Sequence, residues 1–160
     1  MTMRLFAYPF RFRRASEGGW VVTCRDLPEA ISQAATDEDR RAIASGCLQA
    51  ALEGRMRHAM DIPRPSTTRI GEIVVAAPVE SAAKAALHEA MRAAKVSRSE
   101  LARRLGVDEK EVRRMLDPGY GSKLPRIAKA IEAVGQRMVV GVEPNGKAPL
   151  RRSVPIPPGA

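Results

Sequence analysis

The sequence predicts an α+β fold: a small antiparallel sheet with a packed helix, followed by an all-α unit. Two observations predict it, and a third, of charge, marks off the second half. Period-two alternation runs through "RLFAYPFRFRR" and "WVVTCR". Helical periodicity takes over from Val79 onward. The charge also shifts, from a net +2 over residues 1–79 to a net +7 over residues 80–160. The expected division is one unit at 1–78, a second at 79–142 and a disordered, proline-rich tail at 143–160.

The elements follow in order. Phe6, Tyr8, Phe10 and Phe12 fall on one face of the first strand, with Arg11 and Arg13 on the other. "ASEGG" supplies a turn, with Gly18 and Gly19 able to take positive φ, and Trp20, Val22 and Cys24 share one side of the second strand. Pro28 starts "DLPEAISQAAT" as a loop that ends in a short third strand. A long helix is expected from Thr36 to Met60, capped by Thr36 or Asp37 and carrying the stripe Ile43, Cys47, Leu48, Ala51, Leu52 and Met56. Pro63 and Pro65 break it, and "EIVVAAP" reads as one more strand.

Beyond Val79, "ESAAKAALHEAMRAAK" is amphipathic, and "VSRSELARRLGVDEKEVRRML" reads as two short helices around Gly106. Ser97 and Glu100 form a capping-box pattern, and Asp108 is the expected cap of the second helix. "LPRIAKAIEAV" is a further helix ended by Gly135. "RMVVGV", Arg137 to Val142, is expected to be a short strand that pairs with the sheet or a second chain.

Composition excludes several function classes. No run of roughly 18 apolar residues suggests a membrane span, and the N-terminus shows no signal-peptide h-region, so a cytoplasmic protein is expected. Cys24 and Cys47 stand without a CxxC or a nearby histidine, and His58 and His88 have no neighbours at ligand spacing, so no metal or other cofactor is expected. Two-metal nuclease chemistry needs convergent carboxylates. Asp37, Glu38 and Asp39 are explained by helix capping, while Asp26 and Glu53 stand apart, so the chain is not expected to be an enzyme. The basic second half instead points to an anionic partner, most often nucleic acid.

A helical wheel on residues 109–116 locates the candidate contact face. Val112, Met115 and Leu116 cluster on the buried side, and Lys110, Arg113 and Arg114 face the opposite way. Glu109 and Glu111 border that face, with expected pairs Glu109–Arg113 and Glu111–Arg114 worth only about 0.2–0.5 kcal/mol each.

Residues 97–119, "SRSELARRLGVDEKEVRRMLDPG", resemble the lambda-repressor/Cro type of helix-turn-helix. The first half, with its Y-P strand, D-L-P-E-A turn and I-P-x-P-S exit, resembles the HicB antitoxin domain, and the likeness spans about residues 5–142. It departs at "AISQAAT", where many relatives carry G-C-x-T-x-G. The resemblance implies a partial RNase H-like domain that masks HicA, a small mRNA-cleaving toxin, and a helix-turn-helix that represses the operon at operator DNA. It also implies base readers at Glu109, Lys110 and Arg114, with Arg98 at the start of the preceding helix. A two-fold operator implies at least a homodimer, for which Arg137–Val142 is the candidate interface. The alternative is a stand-alone transcription regulator whose first domain senses a ligand or dimerises.

Overall fold

A computed structural model describes residues 3–143; the expected disordered tail lies almost wholly outside them. Four strands and five helices run in the order β1 (Ala7–Arg14), β2 (Trp20–Cys24), β3 (Ile31–Ala34), α1 (Arg40–Arg57), β4 (Glu72–Ala76), α2 (Val79–Ala94), α3 (Arg98–Leu105), α4 (Glu109–Leu116) and α5 (Leu124–Ala133). The sheet has the order β3-β2-β1-β4 with every pair antiparallel.

Register explains the alternation in the sequence. Phe10 lies opposite both Cys24 and Ile73, Phe12 opposite Val22, and Tyr8 opposite Val75. Residues that oppose each other share a face, so these side chains form one apolar surface. α1 covers it with Ala44, Leu48, Ala51, Leu52 and Met56. With few aromatics in the chain, the complete burial of Tyr8 and Phe10 matters; each such side chain is worth roughly 1.5–3 kcal/mol. The hairpin needs glycine at one place. Gly19 has φ +76, and a Cβ there would lie 2.6 Å from the Ala34 carbonyl oxygen on β3.

One neutral hydrogen bond and one charged network join distant segments. The Tyr8 hydroxyl donates to the Pro63 carbonyl at 2.7 Å, fixing the proline loop to the sheet. Glu89 of α2 accepts from the Ile62 N–H at 3.0 Å and from Arg4 at 3.2 Å, while Arg4 also donates to the Ile62 carbonyl. α2 contributes Ala85 to the sheet core and Ala83, Leu87, Ala90 and Met91 to a second core. That second core also takes Leu101, Val112, Met115, Ile127 and Ile131 from α3, α4 and α5.

Several sequence expectations need correction. α1 begins at Arg40, not Thr36, and no acid lies in its first turn. Thr36 Oγ1 accepts the Asp39 N–H at 3.2 Å, and Asp37 is drawn to Arg14 and Arg40 at 3.8 and 3.9 Å, so the acids form a turn ahead of the helix. Arg137–Val142 forms no strand among the described residues. A strand requires a ladder partner, and neither β3 nor β4 takes this segment as a neighbour. It leaves Val139, Val140 and Val142 at 59%, 70% and 98% exposure. Apart from these expectations, α2 ends on Lys95 in the left-handed region, with φ 53 and no glycine to relieve it.

Burial pushes the Tyr8 phenol up to about 12. The phenol is favoured in its neutral form, so this stability is complete below pH about 10 and lost as pH rises through 12. Ultraviolet titration is expected to show the folded protein holding this proton until alkaline unfolding begins. Tyr8→Phe is expected to lower stability by about 1–3 kcal/mol, because the Pro63 carbonyl loses its donor; urea unfolding measures this.

Candidate nucleic-acid interface

The unit α3–α4 is built by its turn. Ser97 Oγ accepts the Glu100 N–H at 3.1 Å, and Gly106 takes φ 65 to end α3. The reciprocal half of the capping box is absent, because the Glu100 carboxylate turns to Arg103 and Arg104 at 2.7 and 2.9 Å. These two guanidiniums hold the Glu100 carboxyl down at about 2. Asp108 occupies the cap position of α4, yet its side chain makes no capping hydrogen bond. Its extended backbone, with ψ 145, ends the turn, and its charge still favours the positive end of the helix dipole.

Leu101, Ala102, Val112 and Met115 are buried together. Arg98, Glu109, Lys110, Arg113 and Arg114 are all exposed. The expected pair Glu109–Arg113 is present at 4.0 Å. The expected pair Glu111–Arg114 is not formed: Glu111 binds Arg126 of α5 at 2.9 Å. Arg114 instead lies over the Tyr120 ring, 5.2 Å from its centroid. An aromatic face restrains a guanidinium without neutralising its charge. Arg98, Lys110 and Arg114 have no acidic partner among the described residues.

The loop that carries Tyr120 is held from α2. Lys84, only 1% exposed, donates from Nζ to the Asp117 carbonyl at 2.5 Å and to the Tyr120 carbonyl. Glu80, one turn earlier, accepts the Ser122 N–H at 2.9 Å and lies 3.7 Å from Lys84. A lysine and a glutamate on one helix thus fix both ends of the loop between α4 and α5. Sequence reasoning missed Lys84. The available signal was its position, at i−3 and i−7 from the buried Leu87 and Met91, where an apolar residue was due.

The carboxylates considered for nuclease chemistry are dispersed. Asp26 accepts from the Ser66 N–H at 2.8 Å and from the Ser66 hydroxyl. Glu53 pairs with Gln49 at 2.8 Å and with Arg57 at 3.4 Å. Among the described residues no three His, Cys, Asp or Glu side chains come together as metal ligands. No described helix is long and apolar enough to cross a membrane.

Comparison with known proteins gives a consistent result. The family described as "HicB_like antitoxin of bacterial toxin-antitoxin system" matches residues 7–86. Antitoxin HicB 2 of Photorhabdus laumondii is 35% identical over 131 residues, covering 82% of this chain and 92% of that protein. Antitoxin HicB 1 of the same organism is 31% identical over 136 residues, covering 85% of this chain and 86% of that protein. Antitoxin HicB of Escherichia coli K12 is 28% identical over 131 residues, covering 82% of this chain and 95% of that protein.

Lys84→Met keeps the side-chain volume but removes the buried donor from two loop carbonyls. It is expected to lower stability by about 1.5–3 kcal/mol in urea unfolding. It should also speed amide exchange at Tyr120 and Ser122 beyond the change seen in α1.

Proposed function

The chain belongs to the HicB-like antitoxin family of bacterial toxin–antitoxin systems, and from that premise we propose a protein with two binding activities. Its first unit, residues 1–78, binds and neutralises a HicA-like, mRNA-cleaving toxin. Its second unit, residues 79–142, binds operator DNA as a helix-turn-helix and represses the operon. The relatives' names support the antitoxin reading. The observation that carries the DNA reading is the exposed cationic face of α4. Lys110, Arg113 and Arg114 lie opposite the buried Val112 and Met115.

The mechanism is electrostatic first. Cations neutralise phosphates and release counterions, which supplies affinity without sequence preference. Sequence is then read by hydrogen bonds to base edges. Arg114, restrained over Tyr120, and Lys110 on the same face are the proposed readers. Arg98 and Arg113 are the proposed backbone contacts. Glu109 accepts from a cytosine amino group or steers Arg113, from which it lies 4.0 Å away. A two-fold operator requires two copies. The exposed valines of residues 139–142 support that segment as the contact between them.

Two experiments test the reading. Co-expression with the HicA-like protein of the adjacent reading frame is expected to leave the toxin bound and cells growing. A toxin that stays free and active would end the antitoxin proposal for this pair. Lys110→Ala and Arg114→Ala are each expected to weaken operator binding by about 1–3 kcal/mol, measured by fluorescence anisotropy. Unchanged operator preference in both would move the reading surface elsewhere.

A further inference from the structure

A cleft of about 550 Å³ opens where the end of α1 meets the start of α3 and the end of α4. Its floor is apolar, with Met56, Met91 and Leu116. Its rim carries Arg57 from α1, Arg92 and Lys95 from the end of α2, Arg98 from α3 and Arg113 from α4. All five cations are exposed. Asp117 is the one acid among the lining residues, and its carboxylate already accepts the Gly119 N–H at 2.9 Å.

We propose that this cleft is a second contact with duplex DNA, which takes the phosphate backbone flanking the site read by α4. This rests on the reading of α4 as the DNA-facing helix. Two rim residues, Arg98 and Arg113, belong to both surfaces, so the cleft continues the α4 face rather than standing apart from it. Arg92 and Lys95 carry the same charge along the end of α2, and Arg57 carries it onto α1, in the sheet-bearing half of the chain. Their acidic neighbours do not block a phosphate. Arg57 meets Glu53 at 3.4 Å and Arg113 meets Glu109 at 4.0 Å, both as i,i+4 pairs whose guanidiniums are exposed. Such pairs are weak and open readily. Glu89, 3.8 Å from Arg92, is committed to the Ile62 N–H and Arg4. Lys95 has no acidic partner among the described residues. A row of cations drawn from four helices suits a repeating polyanion better than a single small anion. In this arrangement α1, the helix that covers the sheet, itself touches DNA.

The test uses the full chain and two duplexes of equal length. One carries the region upstream of the protein's own reading frame, and the other carries the same bases scrambled. Arg57→Gln and Lys95→Gln change exposed residues, and circular dichroism checks that each variant folds. Each is expected to weaken binding to both duplexes by the same factor. Each should also flatten the slope of log affinity against log salt by about 0.9. On an operator duplex shortened to remove the flanks, variant and wild type should bind alike. Unchanged affinity and slope in both variants, with Arg114→Ala still reducing operator preference, would overturn the cleft contact and leave the α4 reading intact. Wild-type protein that binds neither duplex would remove both.

Discussion

Folding has taken two charged side chains of α2 out of water, and the rest of the molecule is arranged around satisfying them. Burying an ion is unfavourable unless a partner and hydrogen bonds accompany it. Glu89 finds Arg4, ahead of β1, and the Ile62 N–H, between α1 and β4. Lys84 finds the carbonyls of Asp117 and Tyr120, beyond α4. The two residues therefore bind opposite ends of the molecule to one helix. Apolar packing follows the same division, since α2 gives Ala85 to one core and Leu87 and Met91 to the other. Neither loop can shift without leaving a buried ion exposed to a poorly polar surrounding.

This explains how a modest all-α unit can present a defined cationic face. The helices α3 and α4 are short, and such helices owe their stability to packing rather than to propensity. Packing sets the direction of Val112 and Met115, and hence of Lys110, Arg113 and Arg114 on the other side. The loop that follows supplies the Tyr120 ring to Arg114, and α5 supplies Arg126 to Glu111. Both partners remove freedom, one from Arg114 on the face and the other from Glu111 at its border, while leaving the net charge of the face positive.

Much of this was legible in the sequence. Phe6, Tyr8, Phe10 and Phe12 announced a strand because period two admits no other regular structure. The inward set of α3 and α4 followed from spacing alone. What escaped was long range. Glu111 had a neighbour of the right charge at i+3, yet it chose Arg126, which only tertiary packing brings near. Arg4 and Glu89 stand 85 residues apart in the chain. Asp108 showed the opposite limit: its residue type suited a cap, but its side chain makes no such bond. The Arg137–Val142 segment had strand composition without a strand, because composition cannot provide the neighbouring ladder.

Lys95 carries a further implication. At φ 53 it adopts a conformation that glycine takes with little strain and that an L-residue with a Cβ adopts at roughly 1–2 kcal/mol. At the equivalent end of α3 the chain does use glycine, at Gly106. Thermodynamic optimisation of the fold and retention of charge at the cleft rim thus pull in opposite directions at this one residue. A glycine introduced there for heat resistance would relax the backbone and delete a cation together. The helix end of this chain is a point where robustness and electrostatic reach have been traded against each other.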